Sequence, residues 1–419
     1  MSQINRYVLS NGLRIVHLQD KATQMVALNL LYDVGAKDES PTKTGFAHLF
    51  EHLMFSGSKN IPDFDLPLQR AGGENNAWTN NDITNYYLTL PKQNVEIGFW
   101  LESDRMLGLL LNSKNIKTQK GVVIEEFKQR NLNQPYGDVG HLVRDLAYKV
   151  HPYKWPTIGL DVNHIKDATK EDVIDFYNRF YTPNNAILAV TGNIDFEKVI
   201  DLSEKWFGPI KRTSSYKKPV VVEPIQTETR RQEVVRSVSA DSLFMVFQMC
   251  DRKNEDYYVY DILSDVLSNG SSSRFYQNLV LDKKIFLSLD AYISGSIDKG
   301  LFYICGKPNS AISLEEAEKE VWIEIERIKN ELVDESELLK VKNKYESNFI
   351  FSNINYLNVA TNLAWFELLG DANEINNEVM RYKSVDSERL QQVAQKALIP
   401  ENCSVLYYRK EVRSEDNTQ

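Results

Sequence analysis

The chain repeats one structural unit late in each of its halves. Residues 168–190 (ATKEDVIDFYNRFYTPNNAILAV) align without gaps on residues 385–407 (VDSERLQQVAQKALIPENCSVLY). Both segments have an acidic helix start, an apolar-periodic helix, a Pro-x-Asn stop and an apolar strand, in that order. Any two helix–proline–strand units look somewhat alike, but the equal lengths and positions favour duplication over coincidence. We therefore expect two similar halves.

One stretch without regular periodicity divides the chain almost in half. Residues 212–231 (RTSSYKKPVVVEPIQTETRR) contain two prolines and no helical period, which is typical of a linker. A chain of 419 residues is also longer than one core of ordinary size requires. We predict an N-terminal domain at 1–211 and a C-terminal domain at 232–419. Strand-like and helical patterns alternate in both, so the residues alone predict mixed α and β structure.

Composition argues against several classes of function. The 42% hydrophobic and 26% charged content is that of a globular protein, and the net charge of −9 argues against nucleic-acid binding. The sequence contains no run of about 18 apolar residues, so it predicts no membrane span. Three widely spaced cysteines form no zinc or redox motif, so a reducing compartment is expected. The N-terminus lacks the apolar core of a signal peptide, so the chain is expected in the cytoplasm, although a protein whose leader had been removed would look the same.

A His-x-x-Glu-His string lies within a predicted helix at residues 44–57. His48 and His52 are four residues apart, so a helix places both imidazoles on one face, a geometry suited to zinc. Glu51 shares that face and could accept a proton from water. Two satisfied histidines and a surface glutamate are the alternative interpretation. All six histidines lie in the first half, so histidine-based chemistry is expected in one copy of the duplication only.

A third metal ligand has to come from elsewhere in the chain, because catalytic zinc normally has three protein ligands and an open position. The candidate segment is QKGVVIEEFKQR at residues 119–130, which reads as part of a helix. Glu125 and Glu126 are adjacent there and point about 100° apart on a helix, so only one of them can face a metal. The residues alone leave that choice open.

Four ordered blocks resemble the pitrilysin family of zinc metallopeptidases, the inverzincins, in which the zinc motif runs in this inverted order. The resemblance is to the short two-domain type, such as the mitochondrial processing peptidase and similar bacterial proteins, and it covers nearly the whole chain. The blocks are GFAHLFEHLMFSGS (45–58), AGGENNAWTNNDITNYYLTLP (71–91), VVIEEFKQRNLNQP (122–135) and TPNNAILAVTGNID (182–195).

The resemblance implies a role for each residue of the string. His48, His52 and Glu126 would bind Zn²⁺, since the family's spacing selects the second glutamate of the pair. Glu51 would be the catalytic general base. The fold implied is α+β, with two duplicated halves that each contain a mostly antiparallel sheet covered by helices, together forming half of a clamshell.

Two further positions follow from the resemblance. Asn76 and Ala77 match the Asn-Ala of an edge strand that binds the substrate backbone, a mode that gives affinity through main-chain hydrogen bonds. The alternative is a plain hairpin turn. Gln119 stands seven residues before Glu126, where some relatives have a second glutamate near the metal. Glutamine keeps a hydrogen-bonding group but loses the negative charge, which is expected to weaken zinc binding.

The second half departs from active relatives. Those supply an Arg and, seven residues later, a Tyr that stabilise the oxyanion. In the matching block at 268–294 these positions fall on Val280 and Leu287, neither of which can donate a hydrogen bond. Arg274 remains, but it matches an arginine at a helix start and is interpreted as structural.

Short members of the family pair as two-chain enzymes, and in some pairs one chain keeps the zinc motif while the other keeps the Arg-Tyr pair. The resemblance therefore implies the zinc-bearing chain of a heterodimer that cleaves peptides or unfolded segments. A different class of function is a non-catalytic assembly subunit of the same fold. Such subunits typically lack the His-x-x-Glu-His residues, which are intact here.

Overall fold

Two β-sheets with packed helices organise the chain. The computed structural model describes residues 3–214 and 217–411. Met1, Ser2, the predicted linker residues Ser215 and Tyr216, and residues 412–419 of the predicted second half lie outside the described residues. The described linker positions before Arg230 contain no helix or strand, whereas Arg230 and Arg231, which the sequence prediction placed in the linker, begin a strand.

Regular structure alternates between strand and helix along the described residues. The strands are β1 (Asn5–Val8), β2 (Arg14–Gln19), β3 (Met25–Tyr32), β4 (Glu74–Thr79), β5 (Thr84–Pro91), β6 (Ala186–Gly192), β7 (Arg230–Arg236), β8 (Ser242–Gln248), β9 (Phe286–Ile293), β10 (Leu301–Pro308) and β11 (Cys403–Lys410). The α-helices are α1 (Phe46–Leu53), α2 (Asp65–Arg70), α3 (Val95–Leu107), α4 (Ser113–Phe127), α5 (Val139–Ala147), α6 (Val162–Lys166), α7 (Lys170–Phe180), α8 (Phe196–Trp206), α9 (Asp256–Ser268), α10 (Leu314–Asn330), α11 (Glu335–Ser352), α12 (Tyr356–Leu369), α13 (Glu378–Lys383) and α14 (Ser387–Ala397). No helix among them is both long and apolar enough to cross a bilayer.

Both sheets are mostly antiparallel. The first has six strands in the order β1-β2-β6-β3-β5-β4, and only the β2–β6 pair is parallel. The second has five strands in the order β7-β11-β8-β10-β9, and only the β7–β11 pair is parallel. The predicted α+β class, with two mostly antiparallel sheets, is confirmed.

The repeat found in the sequence recurs in the structure with the same boundaries. Helix α7 and strand β6 begin at residues that the ungapped alignment matches to the first residues of α14 and β11. The Asn185 side chain donates to the carbonyl of Phe180 at the end of α7 (2.9 Å), and Asn402 donates to Ala397 at the end of α14 (2.9 Å). Asn185 also donates to the carbonyl of Asp33, just after β3. Asn402 also donates to the carbonyl of Gln248 at the end of β8. The Pro-x-Asn stop therefore fastens each helix end to a sheet.

The compact units are not the contiguous halves 1–211 and 232–419 expected from the sequence. One unit contains the residues up to Gln129, Trp155–Val220 and Asn348–Glu378. The other contains Arg130–Lys154, Val221–Ser347 and the residues from Val379. The first unit therefore includes α12, which lies late in the sequence, and the second unit includes α5, which lies early in the sequence. The change at Val220–Val221 lies within the predicted linker.

Packing on the second face of each sheet explains this exchange. Alternate residues of β3 point to opposite faces, so Leu28 and Leu30 join a core under α1, α3 and α7, whereas Ala27 and Leu31 face α12. In the second unit, α5 covers the equivalent face by packing on β7, β8 and β11. Helices thereby cover both faces of the central strands β3 and β6 in the first sheet and β8 and β11 in the second.

We predict that Asn402→Ala lowers the free energy of unfolding by about 2 kcal/mol, because two carbonyls lose their hydrogen-bond donor. Chemical denaturation measures this. The control is Asn330→Ala, whose exposed amide bonds only to Glu326, and it should change stability by less than about 0.5 kcal/mol. Equal effects of the two substitutions would contradict the role given to the Pro-x-Asn stop.

Candidate metal centre

Helices α1 and α4 bring three potential ligand side chains together. The Nε2 atoms of His48 and His52 are 3.4 Å apart. Oε2 of Glu126 lies 3.3 Å from Nε2 of His52 and 3.6 Å from Nε2 of His48. Among the residues that the structure describes, this is the one group of three or more His, Cys, Asp or Glu side chains placed to share a metal ion.

These separations fit a zinc-sized ion. Tetrahedral bonds of about 2.0–2.2 Å place neighbouring ligand atoms roughly 3.3–3.6 Å apart, which matches the three observed distances. Two imidazole nitrogens and one carboxylate oxygen also form a ligand set typical of catalytic zinc. The side chains of His52 and Glu126 remain 25% and 19% exposed, so the centre is open on one side to water or substrate.

The structure resolves the choice between the two adjacent glutamates. Glu125 is 64% exposed and pairs with Lys128 on the same helix at 2.6 Å. Glu126 faces the two histidines instead, as expected for neighbours that point about 100° apart. The assignment that the family resemblance implied for Glu126 therefore agrees with its position.

Glu51 lies one turn from His48 on the same side of α1 and is half-buried. The negative charge of Glu51 acts on the aromatic residues that pack behind α1. Burial raises the pKa of Tyr181, and the negative charge of Glu51 raises it further. A carboxylate here, beside the two imidazoles, can accept a proton from a water molecule at the open side of the centre.

A buried glutamate fixes the start of α1. The Glu39 carboxylate accepts hydrogen bonds from the backbone N–H groups of Gly45 and Ala47, both at 2.8 Å. Burial raises the pKa of Glu39, and these N–H groups offset part of that shift. Gly45 has a φ of +89°, a conformation that favours glycine. Sequence analysis missed Glu39, because it lies too far before the helix to match a capping pattern.

A second buried network supports the middle of α1. The Tyr86 hydroxyl donates to the carbonyl of Phe50 at 3.1 Å. The Arg105 guanidinium lies over the rings of Tyr86 (4.5 Å) and Phe64 (4.3 Å), and its Nε donates to Glu102 at 2.8 Å. Arg105 and Glu102 are fully buried. The helix that carries the histidines therefore rests on a fixed polar and aromatic layer, which no motif in the sequence indicated.

Asn76 and Ala77 lie in β4, an edge strand, so the hairpin-turn interpretation is wrong for these two residues. Ala77 pairs with Tyr86 of β5, and its N–H donates to the side-chain oxygen of Asn76 at 2.8 Å. Among the described strands, only β5 pairs with β4, so the other edge of β4 can accept an added strand.

Gln119 lies two turns before Glu126 on the same unbroken helix and is half-buried. Among the described hydrogen bonds, none joins Gln119 to either histidine of the centre.

The second unit has apolar residues at the two positions that the family resemblance matches to an Arg-Tyr pair. Val280 lies in a π-helical turn (Tyr276–Asp282) and packs against the core. Leu287 lies in the edge strand β9 and is 62% exposed. Arg274 donates two hydrogen bonds to Glu337, at 3.1 and 2.9 Å, which agrees with a structural role.

Comparison with known proteins agrees with this description. Residues 14–159 match the family model for Insulinase (Peptidase family M16), and residues 167–345 match that for the Peptidase M16 inactive domain. Zinc protease PqqE of Helicobacter pylori is 30% identical over 348 residues, which cover 82% of this chain and 78% of that protein. The uncharacterized zinc protease YmxG of Bacillus subtilis is 26% identical, covering 83% of this chain and 84% of that one.

A solved structure shares the whole fold. The crystal structure of a protease from Helicobacter pylori superposes with a TM-score of 0.92 at 27% identity, covering 98% of this chain and 100% of that one. The sequence matches and the structural match therefore both extend over the two units. The chain belongs to peptidase family M16, the insulinase family.

Proposed function

We propose that this protein is a zinc-dependent endopeptidase that hydrolyses peptides or unfolded segments. The observation that carries the proposal is the triangle of His48, His52 and Glu126, whose ligand atoms lie 3.3–3.6 Å apart beside Glu51. The names of the relatives, which are zinc proteases, support the same activity and the same metal.

In this proposal each residue has a separate task. A zinc ion, when bound by the two histidines and Glu126, supplies Lewis-acid activation of water and of the peptide carbonyl. Glu51 accepts the proton of the attacking water at its carboxylate and passes it to the departing amine. The buried layer behind α1 fixes the position of this helix and therefore of Glu51 and the two histidines. The distance between the Glu51 carboxylate and the attacking water is then fixed as well.

The free edge of β4 is the proposed binding site for the peptide backbone. A substrate segment would add to the sheet as a further strand, with hydrogen bonds to the main chain around Asn76 and Ala77. In the free protein the side-chain oxygen of Asn76 accepts a hydrogen bond from the N–H of Ala77. A bound substrate therefore has to replace this internal hydrogen bond with one to its own backbone. The need to break the internal bond limits pairing of the exposed edge with unrelated chains.

The lack of an oxyanion donor at Val280 and Leu287 supports a two-chain enzyme. We propose that this chain contributes zinc and base, while a homologous partner contributes Arg and Tyr, so that the two form a clamshell around the peptide. Neither Val280 nor Leu287 can stabilise negative charge, a contribution that is typically worth about 10²–10³ in turnover.

We predict that Glu51→Gln retains zinc but lowers peptide cleavage by about 10²–10⁴-fold, because the proton acceptor is lost. His48→Ala should lose zinc as well as activity. Metal content by mass spectrometry and cleavage of a quenched fluorescent peptide, measured with the required partner present, check both. Glu125→Gln is the matched control and should change neither, since Glu125 faces solvent.

A protein that holds no zinc, and cleaves no peptide with any partner, would contradict this function and favour the non-catalytic assembly subunit. Loss of cleavage in Glu125→Gln equal to that in Glu51→Gln would contradict the assignment of the base.

We further predict that the purified full chain binds zinc yet cleaves peptides slowly, and that a homologous chain carrying the Arg-Tyr pair raises turnover by about 10²-fold or more. Titration of the partner at fixed enzyme concentration, with size-exclusion chromatography of the mixture, measures this. Full activity of the chain as a homodimer would overturn the two-chain proposal and leave the zinc peptidase function intact.

A further inference from the structure

His164 on α6 holds the residue that precedes the first helix of the candidate metal centre. Its Nδ1 atom accepts a hydrogen bond from the backbone N–H of Thr44 at 3.3 Å and lies 2.8 Å from the Thr44 hydroxyl oxygen. A backbone N–H group can only donate, so Nδ1 is the unprotonated nitrogen and Nε2 carries the hydrogen of the neutral ring. The contact therefore requires His164 in its neutral form.

Thr44 in turn fixes the start of α1. It is fully buried, and its hydroxyl oxygen accepts a hydrogen bond from the N–H of Leu160 at 2.7 Å. The carbonyl of the next residue, Gly45, accepts from the N–H of Leu49 at 2.9 Å and so closes the first turn of α1. His48 lies within that turn. A shift of Thr44 therefore moves the backbone that carries the first candidate ligand.

The start of α1 also lies directly against α6. A Cβ atom added to Gly45 would be 3.0 Å from the carbonyl oxygen of Ile158 and 3.1 Å from Cδ1 of Ile165. Ile165 is buried in the same core as Phe46 and Ala47 of α1. Because interiors this closely packed transmit displacements, a change on α6 is passed on to α1.

The same short helix is fastened to α4, which carries the third candidate ligand. Lys120 of α4 donates from Nζ to the carbonyls of Lys166 (2.8 Å) and Ala168 (2.7 Å), at and just after the end of α6. Lys120 and Glu126 belong to one unbroken helix. Helix α6 is therefore hydrogen-bonded on one side to the start of α1 and on the other side to α4.

Protonation of His164 would remove the first of these connections. Histidine gains its second ring hydrogen between about pH 5 and 8, and both ring nitrogens are then donors. The Nδ1–H group would point at the N–H of Thr44, which would be left without an acceptor inside the protein. A buried donor without an acceptor is unfavourable, so protonation favours a shift of the first turn of α1 away from α6.

Charges of both signs lie on the elements next to His164. They are Asp161, Lys166 and Asp167 on α6, Lys117 and Lys120 on α4, Lys170 and Asp172 on α7, and Glu39 and Lys43 before α1. Lys43 and Asp172 pair with one another. Glu39 is a second titratable acceptor at the same turn, because it accepts from the N–H groups of Gly45 and Ala47. An experiment on His164 therefore has to separate its effect from that of Glu39.

We propose that α6 braces α1 against α4, and that His164 is the positioning residue of this brace. Neutral His164 holds α1 where its histidines and Glu126 can share a zinc ion, and protonated His164 releases α1 and weakens zinc binding. This inference rests on the proposed zinc peptidase function. It assigns part of the acid sensitivity of zinc binding to a residue outside the ligand set.

The zinc affinity of the metal-free full chain tests this proposal without substrate or partner. Isothermal titration calorimetry at about pH 8 and about pH 5.5 compares the unmodified chain with His164→Asn, whose side-chain oxygen replaces Nδ1 as acceptor and does not titrate. We expect affinities equal within about twofold at the higher pH, and about tenfold tighter binding by the variant at the lower pH. Glu39, His48 and His52 are present in both proteins, so their protonation does not produce this difference.

His164→Ala removes the acceptor at every pH and should weaken zinc binding about tenfold even at the higher pH. The asparagine variant rescues that loss, which a general packing defect would not allow. The control His141→Asn replaces a histidine of α5 in the second unit and should leave the affinity and its pH dependence unchanged. Circular dichroism at both pH values shows that each variant is folded.

Lys120→Met breaks the other end of the brace. It should weaken zinc binding about fivefold at both pH values, because the hydrogen bonds to the α6 carbonyls are lost regardless of pH. Lys117→Met is the matched control, since this exposed lysine lies one turn earlier on the same helix, and it should have no effect.

Equal weakening of the unmodified chain and His164→Asn in acid would overturn the role of His164 and assign the acid sensitivity to Glu39 or to the ligands. Unchanged zinc affinity in both His164→Ala and Lys120→Met would overturn the brace. Peptide cleavage with either result leaves the peptidase function standing. The expected affinities without cleavage by any partner combination support the inference while the peptidase function fails.

Discussion

The candidate metal centre depends on holding one carboxylate oxygen within 3.6 Å of two imidazole nitrogens that belong to another helix. The two histidines share a helix, so their spacing is set by local geometry. Glu126 is different, because its position depends on how α4 packs against α1. A shift of about 1 Å between the helices would remove the third ligand. Glu39 at the start of α1 and Tyr86 at its middle limit such a shift through hydrogen bonds to the backbone itself.

The two sheets resemble each other, and among the described residues only the first unit brings three potential metal ligands together. The repeated Pro-x-Asn stop shows how closely the copies still agree, since Asn185 and Asn402 make matching hydrogen bonds. The copies diverged where chemistry is needed. The edge strand β4 of the first sheet carries Asn76 and Ala77, whereas β9 of the second exposes Leu287.

Much of this could be predicted from the sequence, because local patterns determine local structure. The period of α1 placed His48, Glu51 and His52 on one face, and the repeat predicted two sheets of the same kind. Other features depend on tertiary packing. Neither α5 nor α12 was identified from the sequence, and no local pattern says which sheet each helix covers, so the exchange between the units was missed. The residues by themselves could not choose between Glu125 and Glu126, and only the family resemblance and the packing of α4 decide it.

Zinc K-edge X-ray absorption of the purified full chain tests the central claim most directly, because it reports the atoms around the metal without requiring substrate or partner. The account predicts one zinc per chain with two imidazole nitrogens at about 2.0–2.1 Å and oxygen ligands at about 2.0–2.2 Å. Glu126→Ala should remove one oxygen contribution and leave both imidazoles. A spectrum with sulfur ligands, or one unchanged by His48→Ala, would contradict the account.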